Sequence, residues 1–511
     1  MENFVRRIKT FIVTHPYEFF ALFAILTVGA FLRMYRLPEF MMFLGDQGRD
    51  VLVVKRMLVD HKLTLIGPQT SVGNMYLGPL YYYLMALPLL FSRFDPVGAV
   101  YMVAALHVAT IFLLYLLGRE WFNGTSGLVA ASLFAVSPKM IEFAQFSWNP
   151  NPVPFFLALA LLSFTYIIKY KKDAWWLVVG IAFASLLQMH YLTVFFGLTI
   201  LILWAGVLKI RKNESQTRPL LKFSFLGGAI FTLLMLPLPL FDIRHEFLNS
   251  RALLSFLKEG NGVSTSVSSI FSDIPGRFTH LFTRFIGFDN IAIGTLLATL
   301  GFFAFIILLG DRRRRWSTYL FFIWVGTGIL GVSVYKGPLF DHYLGFLFLA
   351  PFIGVSCLFY VLQKQKALLL PLSLFVLFLL SMNTMKNHPF GPAQDQLGRT
   401  KRIAASVLER TDDLPFHFAL IAERNYDSAY QYFFELWGRK PLSAHDGIVP
   451  QLFVVCEDEV CQPIGHPKWE IASFGWAQIE DQWIVDGTRV FKLVRFQEDE
   501  NAVDPGLEIK E

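Results

Sequence analysis

Charge is scarce in this sequence. Only 16% of its 511 residues are Asp, Glu, Lys or Arg, whereas a soluble globular chain carries about 25%. The 3 cysteines are too few for a disulfide framework, and neither an internal repeat nor a long low-complexity tract is visible. An ordinary soluble domain is therefore excluded, and the 54% of residues that are hydrophobic point to a membrane.

Apolar runs about 17–22 residues long recur along most of the chain, each bounded by charged or turn-forming residues. Runs of this length cross a hydrocarbon core about 30 Å thick as α-helices. Barrel strands would instead alternate apolar and polar residues over about ten positions. The predicted fold class is a polytopic α-helical membrane protein with about eleven transmembrane helices, near 17–35, 99–117, 127–145, 152–168, 174–189, 192–208, 219–240, 290–310, 316–335, 343–362 and 367–382.

Short clusters of Lys and Arg separate these runs, and such clusters face the cytoplasm. They lie at 6–9, 169–172, 209–218, 312–315 and 364–366. With the spans given above, all five clusters lie on the cytoplasmic side of the membrane. The number of crossings is then odd, which predicts a plasma-membrane protein with a cytoplasmic N-terminus and an outer C-terminus. Because the clusters set orientation, the net charge of +6 does not require a nucleic-acid partner, and none is predicted.

One apolar run, 76–91, is left out of the spans. It is interrupted by Gly78, Pro79 and Pro88, and a crossing here would turn every later basic cluster outward. We interpret it as an interfacial or re-entrant segment that closes a long first outer loop, 36–96. The alternative is an ordinary short span paired with another that the pattern does not reveal.

The composition changes abruptly after residue 382. Helices are predicted at 396–410 and 426–437, and strands at 416–422, 452–456, 470–474 and 489–494. These elements predict a small extracytoplasmic α/β domain over 383–498, followed by a disordered acidic tail, 499–511. Cys456 and Cys461 are expected to form a disulfide there, whereas Cys357 within a span is expected to be an inert packing residue.

Several motifs occur in a recognisable order. Asp46 follows the first span, Gly-Pro-Leu-Tyr-Tyr-Tyr stands at 78–83, and further matches come at 116–122, 137–138, 336–338 and 342–344. This order resembles the GT-C membrane glycosyltransferases, and within them glycosyltransferase family 39, which includes dolichyl-phosphate-mannose protein mannosyltransferases and lipid A aminoarabinose transferases. The resemblance covers roughly the first 350 residues and implies that 1–382 is a transmembrane glycosyltransferase domain.

The resemblance implies an inverting transferase that moves a sugar from a polyprenyl-phosphate donor to a protein, lipid or glycan acceptor. Its first-loop Asp is the catalytic base, and Asp46 is the matching position. A carboxylate suits this task, because an acceptor hydroxyl becomes a good nucleophile only as its proton is removed. The departing polyprenyl phosphate is a stable anion, so it needs hydrogen bonds or cations more than a general acid.

Alternatives remain for the residues around this base. Asp46 could instead cap a helix that begins at Gln47. Asp50, one helical turn later, could orient the base, help to bind a divalent cation, or be a solvated carboxylate. Arg49 could contact substrate or pair with either carboxylate. No cofactor is firmly implied, and a divalent cation stays an open option.

The second outer turn departs from the family, since Asn149 and Asn151 stand where relatives often have an acidic residue. Asn binds sugar hydroxyls but cannot act as a base or as an anionic metal ligand, which puts a two-carboxylate mechanism in doubt. Trp148 could stack on a sugar, or be an ordinary interfacial Trp.

The remaining substrate-binding candidates lie at other outer turns. His190 could bind a phosphate or be a satisfied polar residue, and Lys336 could bind the donor phosphate or reach lipid head groups. The set is completed by Tyr82, Tyr191, His342 and Tyr343. Membrane lipids are the other predicted partners.

Two other functions remain open. A multi-span lipid or solute transporter or flippase would place ionisable residues at mid-span and would show repeats. A membrane anchor for a C-terminal binding domain would need only one span.

Overall fold

The computed structural model describes residues 9–70, 75–211, 213–258, 267–335, 337 and 339–496. The chain divides into two compact units. The first comprises Met1–Leu37 with Val54–Pro392, and the second comprises Pro38–Val53 with Ala393–Glu511. The second unit therefore combines a short segment that follows the first membrane helix with the C-terminal residues.

Helices make up nearly all of the first unit, and two more lie largely in the segment Pro38–Val53 of the second unit. In chain order they are α1 Pro16–Met34, α2 Leu37–Phe40, α3 Gly45–Val59, α4 Leu80–Phe91, α5 Val97–Trp121, α6 Gly124–Val136, α7 Pro138–Ala144, α8 Val153–Tyr170, α9 Trp176–Met189, α10 Val194–Ile210, α11 Glu214–Met235, α12 Pro237–Arg244, α13 Leu248–Lys258, α14 Val267–Phe285, α15 Ile291–Leu308, α16 Arg315–Val334, α17 Ala350–Leu362 and α18 Lys366–Met385. Short 3-10 turns at Asp173–Trp175, Tyr191–Thr193 and Asp341–Leu347 connect some of them.

The chain is an integral membrane protein. Within the described residues, 8 helices are long and apolar enough to span a bilayer, and two bent pairs raise the number to 10. The pairs are α6 with α7, bent by 62°, and the turn Asp341–Leu347 with α17, bent by 48°. The remaining predicted span, 174–189, corresponds to a shorter apolar helix. The polytopic helical class predicted from the sequence is confirmed.

The run 76–91 forms only the helix α4, whose 12 residues extend about 18 Å. This is much less than the roughly 30 Å of a hydrocarbon core, so α4 is too short to cross it alone. Its placement as an interfacial or re-entrant segment stays a prediction.

The break between α6 and α7 explains a charged residue within the helical bundle. Arg33 is fully buried, and its guanidinium donates to the carbonyl oxygens of Phe134 and Ala135 at 3.0 Å and 2.7 Å. These carbonyls end α6, because Pro138 at the start of α7 has no N–H to continue the ladder. Arg33 thus provides donors to backbone groups that the bend leaves exposed to an apolar environment.

The second unit contains a 4-stranded sheet in the order β1-β2-β4-β3. Its strands are β1 Phe416–Ile421, β2 Gln451–Cys456, β3 Ala477–Val485 and β4 Thr488–Arg495, and its helices are α19 Gln396–Leu408, α20 Ser428–Leu436 and α21 Trp469–Ala472. β1 and β2 are parallel, whereas the other neighbours are antiparallel. The parallel strands β1 and β2 are buried along their whole length, which places the core of this unit on them.

Two details of this unit differ from the sequence-based expectation. Residues 470–474, predicted as a strand, lie at the one-turn helix α21 and the turn after it, and Gly475 then takes a φ of 85°. The edge strand β3 was not predicted, because its mostly exposed residues, including Glu480 and Asp481, lack an apolar alternation. Cys456 and Cys461 form the predicted disulfide, with Cα atoms 5.9 Å apart. The predicted tail lies outside the described residues.

Candidate active site

Three turns of the membrane unit meet through their aromatic side chains. The ring of His342 lies 4.4 Å from that of Trp148 and 5.6 Å from that of His190, measured between centroids. Tyr343 lies 4.9 Å from His190 in the same way. We call these four residues the turn cluster. The structure thus brings together candidate residues from three of the predicted outer turns.

His190 links α9 to the next 3-10 turn, and its local contacts fix its protonation. Its Nδ1 accepts a hydrogen bond from the N–H of Leu192 at 3.3 Å, so the ring proton is placed on Nε2. Desolvation, with a smaller effect of the neighbouring His342, lowers the pKa of His190 to about 3. His190 is therefore a neutral ring whose Nε2–H is a hydrogen-bond donor.

The two asparagines of the second predicted outer turn are both buried. The Asn149 side chain donates to the carbonyl oxygen of Met189 at 2.7 Å, and that of Asn151 donates to Phe146 at 2.9 Å. The first bond connects this turn to the end of α9, beside His190. Both amides thus make hydrogen bonds that fix the backbone next to the turn cluster. Their contact with substrate stays a prediction.

The second half of the predicted first outer loop contacts the same turns. Tyr191 donates its hydroxyl hydrogen to the carbonyl of Tyr76, and Asn249 donates to the Tyr191 oxygen at 3.1 Å. The hydroxyls of Tyr81 and Ser147 are 2.6 Å apart. Tyr82 is only 3% exposed. The hydroxyls of Tyr191 and Tyr81 therefore connect this loop to the turns, and a contact of Tyr82 with substrate stays a prediction.

A network of cationic side chains that was not predicted lies next to the turn cluster. Arg284 donates to both carboxylate oxygens of Asp341, at 2.7–3.1 Å, and this raises the pKa of the Arg284 guanidinium. Lys139 approaches Asp341 to 3.5 Å. Since Asp341 immediately precedes His342, the network fixes the turn that presents His342 and Tyr343. Lys336, the predicted phosphate ligand, lies outside the described residues.

Asp46 belongs to the second unit, at the start of α3. The helix begins at Gly45, and the side chain of Gln47 accepts from the N–H of Leu44 at 3.0 Å. Asp46 uses its Oδ1 differently: it accepts from Arg49 at 2.9 Å and from the hydroxyl of Tyr426 at 2.6 Å. The alternative that Asp46 is the N-cap of a helix beginning at Gln47 is therefore wrong.

Arg49 bridges the two carboxylates of this segment. Its guanidinium reaches Oδ1 of Asp46 at 2.9 Å and Oδ1 of Asp50 at 2.8 Å. The side chain of Asp50 is fully buried, whereas that of Asp46 is 40% exposed. Asp46 is thus the member of the pair that solvent or an acceptor reaches, and Asp50 anchors Arg49.

Tyr426 holds Asp46 from the C-terminal part of the unit. Burial is the main cause that raises the pKa of Tyr426, and the hydrogen bond to Asp46 adds to it. The phenol therefore stays protonated at neutral pH and donates to the carboxylate. Asn425 next to it accepts from the backbone N–H of Gly45 at 2.8 Å. Neither residue was predicted for the site.

Two glycines allow this close packing. A Cβ at Gly48 would lie 2.3 Å from the backbone nitrogen of Ala429, and one at Gly45 would lie 2.6 Å from the ring of Tyr426. Any larger residue would push α3 away from residues 426–429. Within the described residues, no group of three or more His, Cys, Asp or Glu side chains is arranged to hold a metal ion.

Comparisons with known proteins show which family and which solved structures this chain is similar to. The sequence profile of the family described as dolichyl-phosphate-mannose-protein mannosyltransferase matches residues 77–239. A sequence comparison with curated proteins finds no significant match. The profile match begins beyond Asp46, so it supports the membrane helices and not the assignment of the base.

Solved structures match much more of the chain. The crystal structure of ArnT from Cupriavidus metallidurans bound to undecaprenyl phosphate is 12% identical, with a TM-score of 0.57 over 92% of this chain and 97% of that chain. The archaeal oligosaccharyltransferase AglB from Archaeoglobus fulgidus, in complex with an inhibitory peptide and a dolichol-phosphate, is also 12% identical, with a TM-score of 0.51 over 87% of this chain and 70% of that chain. The resemblance predicted from the motifs is thus confirmed at the level of the fold.

Proposed function

We propose that this protein is a glycosyltransferase that moves a sugar from a polyprenyl-phosphate donor to an acceptor hydroxyl, with inversion at the anomeric carbon. The observation that carries the proposal is the likeness to ArnT, which extends over 92% of this chain and was found in a structure bound to undecaprenyl phosphate. The profile match to a family that uses dolichyl-phosphate-mannose agrees with it. A protein, a lipid or a glycan provides the acceptor hydroxyl.

Asp46 acts as the general base in this proposal. Its carboxylate is accessible, and its Oδ2 remains for the acceptor while Oδ1 accepts from Arg49 and Tyr426. Two fixed donors on one oxygen orient the carboxylate, which is what proton removal in the transition state requires. The acceptor oxygen attacks the anomeric carbon as Asp46 takes its proton, and the bond to the phosphate oxygen breaks.

The turn cluster is proposed to receive the donor. His190 offers a neutral N–H to the phosphate, and the rings of Trp148 and Tyr343 offer apolar faces to the sugar. The leaving phosphate departs as an anion, so hydrogen-bond donors at this position stabilise the charge that develops on it. The basic clusters further support an orientation in which the turn cluster and the C-terminus face away from the cytoplasm.

The test compares two carboxylates of the same helical segment. Asp46→Asn is expected to lower the transfer rate by about 10²–10⁴-fold, the usual effect of removing a positioned base, without loss of donor binding. Asp60→Asn, at the exposed end of the segment, is the matched control and is expected to keep full activity. Turnover is measured with a radiolabelled polyprenyl-phosphate sugar in detergent micelles. Near-normal turnover of Asp46→Asn at normal expression would contradict the role of Asp46.

A lipid or solute transporter is the second candidate, and the buried Arg33 and His107 in the bundle are the ionisable residues that could favour it. Both make local structural contacts, however: Arg33 bonds the carbonyls at the bend of α6, and His107 Nε2 lies 2.9 Å from the carbonyl oxygen of Asn151. Proteoliposomes that move the lipid-linked sugar across the bilayer without forming a glycosylated product would favour transport over transfer.

A further inference from the structure

A groove lies among three helices of the membrane unit, away from the turn cluster. It has a volume of about 480 Å³ and runs between α10 and α11, with α9 as its floor. Its walls are almost entirely apolar and include Trp176, Phe183, Trp204 and Phe225. This volume is in the range of about 300–1,000 Å³ that is typical of ligand sites in proteins.

Glycines determine the shape of the groove. A Cβ at Gly180 of α9 would lie 2.1 Å from the carbonyl oxygen of Gly227 of α11, so these two backbones are in direct contact. Gly228 is the next residue of α11, and it faces open space, with no atom within 4 Å of an added Cβ. The pair of glycines therefore brings α11 close to α9 and leaves the space beside Gly228 unfilled.

The position of the groove along the helices corresponds to one leaflet. On α9 it begins at Trp176, the first residue, and on α11 it extends from Leu221 to Phe231, which is about 15 Å at the helical rise. Half of a hydrocarbon core about 30 Å thick has the same depth. His190 lies at the opposite end of α9. The groove thus opens in the leaflet opposite the turn cluster.

Two basic side chains of α11, Arg218 and Lys222, lie near the end of the groove that is farther from the turn cluster. Leu221, Phe225 and Gly228 form one stripe of α11, and Arg218 continues this stripe by one turn toward the helix start. The Arg218 side chain is 81% exposed, and its Nε lies 3.3 Å from a carboxylate oxygen of the equally exposed Glu214, an ion pair that solvent screens. The buried ion pair of Asp173 with Arg211, at 2.9 Å, connects the chain segments before α9 and before α11 and keeps this end together. An anionic group above the groove would therefore meet Arg218 and the exposed Lys222.

We propose that this groove binds one acyl chain of an anionic glycerophospholipid, with the lipid phosphate beside Arg218. The three helices face a bilayer, so lipid is what covers their outer surface, and the length, apolar lining and charged end of the groove fit one chain with its head group. This site is independent of the proposed transfer reaction, because it shares no residue with the turn cluster or with the segment of Asp46.

The test uses photolabelling in the full-length protein. The protein is placed in phosphatidylcholine nanodiscs that contain a trace of phosphatidylglycerol with a diazirine on one acyl chain, and labelled peptides are mapped by mass spectrometry. Labelling of α10 and α11 around Trp204 and Phe225 is expected to exceed labelling of the lipid-facing surface of α15. Equal labelling of all lipid-facing helices would overturn the proposal.

Three variants at two glycines test whether the groove itself is the site. Gly228→Trp fills the groove and is expected to abolish the excess labelling, and Gly228→Leu is a smaller replacement with a partial effect. Gly206→Trp is the matched control, since Gly206 of α10 also faces open space but does not line the groove. Equal labelling in the Gly228→Trp and Gly206→Trp proteins would overturn the proposal.

The head group is tested with Arg218→Ala. This change is expected to lower labelling by phosphatidylglycerol about fivefold and to leave labelling by the matching phosphatidylcholine probe unchanged. If the wild-type groove takes both probes equally, or if polyprenyl phosphate but not phosphatidylglycerol displaces the label, the assignment of an anionic glycerophospholipid is wrong.

Discussion

The contact of Gly48 with residues 428–429 predicts a large effect from one added methyl group. In Gly48→Ala the new Cβ would lie 2.3 Å from the nitrogen of Ala429 and 2.5 Å from the carbonyl carbon of Ser428. Both are backbone atoms, which cannot rotate away as a side chain would. Ordinary contact begins at 3.4 Å, so the start of α3 has to move by about 1.1 Å.

This displacement is enough to separate Asp46 from its partner. The bond from Tyr426 to Asp46 is 2.6 Å long, and O–H···O bonds weaken beyond about 3.0 Å, so a shift of this size away from Tyr426 breaks it. A misplacement of about 1 Å in a catalytic group costs about 10²-fold in rate. We therefore expect Gly48→Ala to lower transfer about 100-fold while the membrane helices stay folded.

The assay measures transfer from a radiolabelled polyprenyl-phosphate sugar, together with hydrogen exchange of the amides of residues 45–50. Gly206→Ala is the control, because it gains the same helix propensity of about 1 kcal/mol without a steric conflict. Faster exchange and lower turnover in Gly48→Ala alone are expected. Wild-type exchange and wild-type turnover in Gly48→Ala would refute the reasoning about the packing of α3.

Three further predictions concern the side chains of Tyr426, Asp341 and His417. Tyr426→Phe removes one donor to Asp46, worth about 1 kcal/mol, and is expected to lower turnover about fivefold in the same transfer assay, whereas full activity would show that the hydroxyl is dispensable. Asp341→Asn weakens the partly exposed bonds to Arg284 and is expected to cost about 1–2 kcal/mol of stability in thermal unfolding; an unchanged melting temperature would contradict this. Burial lowers the pKa of His417 below its ordinary 6.5, so at pH values below 6.5 protons bind preferentially to the unfolded state and the free energy of unfolding falls. His417→Phe is expected to make the free energy of unfolding less dependent on pH in this range, as measured by denaturation at several pH values. An identical pH dependence in both proteins would argue against this.

The membrane helices could be predicted from the sequence because each one requires its own continuous apolar run. The bend at Ser137 and Pro138 was not predicted, because the apolar run 127–145 was treated as one span, although its proline is the local cause of the bend. The edge strand β3 was missed because its mostly exposed residues carry little apolar pattern. The helix α21 was mistaken for a strand because a segment of five residues is too short to distinguish the two periods.

The candidate site was predicted only where its residues belong to a motif or to a turn between spans. Asp46, His190 and His342 were found in this way. Tyr426 could not be found, because its contact with Asp46 joins positions 380 residues apart and leaves no trace in the local pattern. The contact of Arg284 with Asp341 was hidden for the same reason, because the two residues are 57 positions apart. Contacts of this kind depend on tertiary packing.

The division of the second unit between two distant parts of the chain affects the timing of its synthesis. Val53 and Ser428 are 375 positions apart, and a ribosome that adds about 5–20 residues per second needs about 20–75 s to cover them. Until then Phe43 lacks the rings of Tyr432 and Phe433, against which it packs. A prematurely terminated chain would insert its helices yet leave the segment of Asp46 undocked, so only the finished protein orders its proposed base.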